Sequence, residues 1–262
     1  MNVGFLQFKP VFGNSAANLN KIEKMSQNIR ADLLVLPELS NSGYMFKSKK
    51  EVSELSENIP GGPFTQGLIN IAKNRNMYIA CGLAEKAGGA KCYNSAVLVG
   101  PKGYLGKYRK AHLFNDEKIF FKPGNLPFRV FQVKGVKIGM MICFDWIFPE
   151  AMRTLSLKGA QVVCHCANLV MPYCQKAMVT RCIENGVFAV TANRTGKEKR
   201  GGKSLCFTGG SQVIGNRGEL LGSAGKAEQT IKIIAIDPKA ALNKNISKRN
   251  HLFLDRRVGL YV

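Results

Sequence analysis

Short apolar runs alternate with amphipathic stretches from one end of the chain to the other, and this alternation constrains the fold more than any other feature. Strands with helices between them favour a layered α/β architecture, because every sheet face and every helix stripe must be buried against something. Asn14 stands where an N-cap belongs, and Leu19, Ile22, Met25 and Ile29 follow at helical spacing, so a helix is expected to run to about Arg30. Residues 33–36 (Leu-Leu-Val-Leu) then read as a buried strand stopped by Pro37. Pro63, behind two glycines, opens a helix with Leu68, Ile69 and Ala72 inward, and residues 77–81 form the next strand. Gly100-Pro101-Lys102-Gly103 turns a hairpin within residues 92–108. Further strands are expected at 130–133, 136–142, 162–166 and 187–192, with a final pair near 205–214 and 230–236. Helices at 149–159 and about 172–185 carry Pro149 and Glu150 at one start and Gly159 and Gly186 as stops. The pattern predicts one domain over residues 1–262, built of stacked mixed sheets with helices on the outer faces.

Composition narrows the partners. Hydrophobic residues make up 45% of the 262 positions and charged residues 21%, which suits a globular chain with a sizeable core. No run approaches the ~18 apolar residues of a membrane span. The opening Met1-Asn2-Val3-Gly4-Phe5-Leu6-Gln7-Phe8 lacks the features of a signal peptide and reads as a first strand, so a cytoplasmic protein is expected. The formal net charge of +21 could attract nucleic acid or acidic membranes, but it is spread along the chain without a basic tail or a block interleaved with aromatics. It is read as a basic solvated surface. The eight cysteines lie mostly inside apolar runs and are expected as free thiols. Cys164-His165-Cys166 has the wrong spacing for a structural zinc site, and a strand would send its thiols to one face and its imidazole to the other.

Three reactive side chains fall where strands end, the position at which open α/β sheets hold their ligands. Glu38 follows the 33–36 strand and Pro37, Lys110 follows an extended run, and Cys143 ends the 136–142 strand. A nucleophilic cysteine needs a cation or a base beside it. An ammonium can favour the thiolate and stabilise an oxyanion, and a carboxylate can carry the thiol proton to a leaving amine. Taken singly, each residue has an ordinary explanation in a core, a cap or a surface.

The segments Leu36-Pro37-Glu38-Leu39-Ser40, Arg109-Lys110-Ala111-His112-Leu113 and Met141-Ile142-Cys143-Phe144-Asp145-Trp146 resemble, in order, the three signature blocks of the nitrilase (carbon–nitrogen hydrolase) superfamily. The resemblance continues through Phe148-Pro149-Glu150-Ala151-Met152-Arg153, Ala192-Asn193-Arg194-Thr195-Gly196, Phe207-Thr208-Gly209-Gly210-Ser211 and Asp255-Arg256-Arg257-Val258-Gly259-Leu260-Tyr261, and so covers essentially the whole length. It implies an α-β-β-α sandwich and a homodimer or larger homo-oligomer. It also implies roles: Cys143 as nucleophile, Glu38 as general base and acid, Lys110 and the Phe144 N–H as oxyanion donors, and Glu117 as an accompanying acid. Tyr44, Phe144, Trp146 and Asn168 are the candidate substrate contacts; Met171, also nearby, is read as core. No metal or organic cofactor is expected, and iodoacetamide is expected to label Cys143 first.

Two departures bear on specificity. Val258 replaces the usual proline of the C-terminal block, and Phe-Asp-Trp follows Cys143 where many nitrilases have Trp-Glu. Residues 143–153 resemble carbamoyl-amine hydrolases, although some archaeal aliphatic nitrilases share the pattern. The leading expectation is an amide or N-carbamoyl amine hydrolase releasing ammonia, with an aliphatic nitrilase and an acyltransferase as alternatives. From another class, a catalytically silent basic binding protein is the alternative.

Overall fold

The computed structural model describes residues 1–89 and 91–261. The first sheet contains β1 (Asn2–Gln7), β2 (Leu33–Val35), β3 (Tyr78–Ala87), β4 (Lys91–Gly100), β5 (Gly103–Arg109) and β14 (Thr230–Ala235), in the order β14-β1-β2-β3-β4-β5. The second contains β6 (Val130–Val133), β7 (Val136–Ile142), β8 (Val162–Ala167), β9 (Phe188–Asn193), β12 (Gln212–Ile214) and β13 (Leu220–Ser223), in the order β13-β12-β9-β8-β7-β6. Both are mixed: β1, β2 and β3 run parallel, as do β7, β8 and β9, and antiparallel strands complete each sheet. A separate hairpin of β10 (Thr195–Arg200) and β11 (Lys203–Thr208) stands outside them.

The period-2 alternation of the first sheet shows how the layers form. Phe5, Leu33, Val35, Ala80, Ala96 and Leu98 join one buried cluster with Ile138, Met140, Ile142, Val162 and Cys164 of the second sheet. Their sequence neighbours Leu6, Leu34, Leu36, Ile79, Cys81, Val97 and Val99 face the other way. There they pack against Ile22 of α1 (Ser15–Met25) and Phe64, Leu68, Ile71 and Ala72 of α3 (Pro63–Arg75). Helices α5 (Pro149–Leu157) and α6 (Cys174–Asn185) cover the second sheet through Met152, Leu155, Cys174, Met178 and Cys182. Helix, sheet, sheet, helix is the resulting stack, the expected sandwich in one domain.

Several boundaries move. Helix α1 stops at Met25, where the Ser26 N–H closes on Ile22 O at 3.0 Å, and Ile29 packs from beyond that turn. Strand β3 continues past Cys81 to Ala87. The strand expected near 205–214 divides into β11 and β12, and two short helices, α2 (Lys49–Leu55) and α4 (Glu117–Phe120), with strands β10 and β13, are additional to the sequence reading.

Candidate active site

Cys143 sits at the junction of β7 and a 3-10 turn spanning Cys143–Ile147. Its φ of +42° lies in the left-handed region that side-chain-bearing residues rarely occupy, so the turn holds Cys143 in a sharp strand-to-helix bend. Leu39, immediately after Glu38, has φ +49°. Both proposed reactive residues are therefore delivered by tight reversals at strand ends. Asp145 fastens the cysteine turn to the lysine segment. Its Oδ2 accepts from Ile142 N at 2.9 Å and Tyr108 OH at 2.8 Å. Its Oδ1 accepts from the His112 N–H at 3.2 Å and lies 2.7 Å from His112 Nδ1.

Lys110 is completely buried, and its Nζ donates to Glu38 Oε1 and to Glu117 Oε1, each at 2.7 Å. A buried ammonium is tolerated only with such partners. Burial alone would lower its pKa, but the Glu117 and Glu38 carboxylates outweigh that and hold it protonated. Glu38 Oε1 also accepts from Asn94 Nδ2 at 2.6 Å, while the buried Glu38 Oε2 has no partner and is free to take a proton. Glu117 accepts from Tyr44 OH at 2.8 Å and from Phe114 N at 3.2 Å. Burial pushes its carboxyl up to about 7, with Lys110 opposing and Glu38 reinforcing the rise. Burial pushes the Cys143 thiol well up, Glu38 adds to that, and Lys110 recovers only part. Cys143 therefore rests as a thiol beside Glu38.

Two observations bear on the expectation that iodoacetamide finds Cys143 first: Cys143 is 5% exposed, and Cys206 is an exposed thiol that competes for the reagent. The other six cysteines are buried and free. Among the described residues no group of three or more His, Cys, Asp or Glu side chains is placed to hold a metal ion.

Every candidate residue falls in one region. Cys143, Phe144, Trp146 and Asn168 line a narrow cleft together with Phe114, Leu169, Val170 and Met171. Met171, assigned to the core, touches the cleft while also packing on the main buried cluster. The backbone N–H of Asn168 faces the thiol, and both polar atoms of its buried side chain lack partners. Tyr44 and Glu117 line an adjoining cavity of about 390 Å³ that shares Phe114 and Val170 with the cleft. Its walls are largely aromatic and aliphatic, through Phe46, Ile119, Phe120, Phe121 and Leu205.

Residues beyond the expected set complete the region. Asn94 grips Glu38, and nothing distinguishes it in sequence from any polar residue in a strand. Glu198 accepts from Tyr44 N at 3.2 Å, Met45 N at 2.5 Å and Arg194 Nη1 at 2.7 Å, pinning the β10–β11 hairpin to the Tyr44 segment. Arg194, fully buried, lies over the Phe207 ring at 3.9 Å. Its neighbourhood was signalled by the Ala192–Gly196 block, without a role.

A layered sandwich brings a buried cysteine, lysine and two carboxylates together at converging strand ends. The carbon–nitrogen hydrolase family model matches residues 2–242, and the chain belongs to that family. A relative from Pyrococcus abyssi named nitrilase is 45% identical, with all of this chain and 99% of the relative covered. An N-carbamoylputrescine amidase from Solanum lycopersicum is 31% identical over 94% of this chain and 88% of its own. Among solved structures, an amidase from Nesterenkonia sp. superposes with a TM-score of 0.80 at 26% identity, covering 99% of this chain and 94% of that one. The protein is a hydrolase of the nitrilase superfamily, and no helix among its described residues is long and apolar enough to cross a membrane.

Proposed function

We propose that this hydrolase cleaves small amides or N-carbamoyl amines through a thioester on Cys143. The observation that carries the reading is Lys110, buried and protonated between Glu38 and Glu117 beside the cysteine. Because the resting thiol keeps its proton, Glu38 removes it as sulfur attacks the carbonyl carbon. The oxyanion that forms is stabilised by the Lys110 ammonium and the Phe144 N–H. Glu38 then passes the proton to the departing nitrogen, ammonia leaves, and a thioester remains. Water attacks the thioester, with Glu38 again the base, and the acid is released. Glu117 and Tyr44 keep the ammonium in place, and Asn168 offers an unpaired amide to the substrate.

Support comes from the Phe-Asp-Trp sequence after Cys143, and from a Nesterenkonia amidase that carries the acetamide moiety of fluoroacetamide on its active-site cysteine. Nitrile hydrolysis is the second reading, favoured by the name of the Pyrococcus abyssi relative. It begins with the same attack but yields a thioimidate that must add water before ammonia leaves. Ammonia release from an amide, a carbamoyl amine and a nitrile on the same short carbon chain separates the two. A larger kcat/KM for the nitrile than for both others overturns the amide assignment. No turnover of any, with no titration of Cys143 by an electrophile, returns the chain to the silent binding protein. The reading includes a cytoplasmic homodimer or larger homo-oligomer, supported by exposed Leu254, Val258, Leu260 and Tyr261 in the C-terminal segment and tested by light scattering.

A further inference from the structure

His165 is buried in the middle of β8 and belongs to neither the proposed catalytic set nor a metal cluster. The parallel register places it beside Met141 of β7 and Thr191 of β9, so its imidazole shares a face with the Thr191 hydroxyl. Both ring nitrogens are engaged. Nε2 lies 2.9 Å from the carbonyl oxygen of Cys143, and Nδ1 lies 3.2 Å from Thr191 Oγ1. A carbonyl can only accept, so Nε2 carries the hydrogen. Burial lowers the His165 pKa and keeps the ring neutral, so Nδ1 is the bare nitrogen and accepts from the Thr191 hydroxyl. The tautomer follows from the network rather than from an observed proton.

The Cys143 carbonyl belongs to the same peptide plane as the Phe144 N–H. That peptide is planar and trans, so its oxygen and its hydrogen point in opposite directions. A hydrogen bond that fixes the oxygen toward β8 therefore turns the N–H away from β8. The imidazole adds to the hold of the 3-10 turn on this peptide, at a residue whose φ of +42° needs such support. Donation to the oxygen also polarises the peptide and strengthens its N–H as a donor.

We propose that His165 is a positioning residue for the oxyanion hole: through the Cys143 carbonyl, Thr191 and His165 aim the Phe144 N–H at the oxygen of the reacting carbonyl. The inference rests on the thioester reading above, and the test separates the two. The same sulfur attacks two reagents that make different demands on the site. An aldehyde with the carbon chain of the best amide forms a hemithioacetal, whose oxygen occupies the oxyanion hole. With iodoacetamide the sulfur displaces iodide from the methylene carbon, forming a thioether, and no oxyanion develops.

The comparison uses the full chain in a Cys206→Ser background, with alkylation read at the Cys143 peptide by mass spectrometry. His165→Leu should lower kcat by about tenfold to a hundredfold, a fraction of the loss from deleting a whole oxyanion donor. Aldehyde inhibition should weaken by a similar factor, while KM and the alkylation rate stay within about twofold. His165→Gln, which can restore a donor near Nε2, should recover most of the loss. Thr191→Val removes only the hydroxyl and should move kcat and aldehyde inhibition in the same direction by a smaller factor. Unchanged aldehyde inhibition in both the Leu and Val variants overturns the inference, as does a parallel loss of alkylation, which would mark a general collapse of the site. If the parent protein is neither inhibited by the aldehyde nor alkylated at Cys143, the thioester reading itself falls and takes this inference with it.

Discussion

Gly82→Ala is a one-carbon change that should reach Glu38, the proposed general base, without touching its side chain. Gly82 lies on β3 where the strand passes behind the Glu38 turn, with its N–H bonded to Pro37 O at 3.1 Å and its carbonyl accepting from Ser40 N at 2.8 Å. A Cβ there would stand 2.4 Å from the Glu38 Cα and 2.9 Å from the Pro37 carbonyl oxygen, both backbone atoms that cannot swing aside. Ordinary van der Waals contact begins at 3.4 Å, so the Glu38 backbone must retreat by about 1 Å. That displacement is enough to break the 2.6 Å and 2.7 Å hydrogen bonds by which Asn94 and Lys110 aim the carboxylate. A misplacement of about 1 Å costs roughly a hundredfold in rate. The overpacking itself costs about 1–3 kcal/mol, which in a chain of this size lowers Tm by roughly 2–10 °C. The assay is steady-state ammonia release beside a thermal melt, at a temperature where the variant is fully folded. Activity within about threefold of the parent would refute the claim that Glu38 must be held where β3 places it.

Cys143→Ala should abolish turnover while serine at Cys164, Cys166, Cys174 or Cys182 lowers only Tm, since those thiols are buried in the core; full activity in Cys143→Ala sinks the mechanism. Lys110→Met should eliminate measurable turnover and, by leaving Glu38 and Glu117 buried without their cation, destabilise the fold by about 3–5 kcal/mol. Urea unfolding would show this, and the loss should shrink as pH falls and a proton replaces the ammonium. Glu117 has its folded pKa raised to about 7 from an ordinary 4.5, so between those values the folded chain binds a proton the unfolded chain has released. Its contribution to stability must then fall as pH rises through that window. The Tm of the parent relative to Glu117→Gln should drop from pH 5 to pH 7, and a rising difference contradicts the assignment. Dialysis against a strong chelator should leave the rate unchanged, and activity lost and then restored by zinc would overturn the metal-free reading.

What could be read from the sequence depended on how local each signal was. The strands at 33–36 and 136–142 were legible because uninterrupted apolar runs are buried wherever they fall. Glu38, Lys110 and Cys143 were legible because ordered blocks surround them. Strand β10 was hidden, since Thr-Gly-Lys-Glu-Lys-Arg has no apolar alternation and stands outside both sheets. Asn94, His165 and Glu198 were hidden for another reason. Their partners lie 56, 22 and up to 154 positions away, and no local pattern encodes a hydrogen bond across that separation. The burial and the carboxylate that oppose Lys110 at the Cys143 thiol are likewise set by packing and not by local sequence.

The β10–β11 hairpin offers a place where substrate preference could change without altering the proposed chemistry. Its base is clamped by Glu198, and Arg200 is tied to Met45 O at 2.9 Å and to Glu51. Its tip, Gly201-Gly202-Lys203, is exposed beside the cavity that leads to the cleft. Residues can be exchanged, added or removed at such a tip at little cost to the core. Evolution, or a protein engineer, could thus rebuild the doorway as a replaceable part and leave the machinery of bond cleavage untouched behind it.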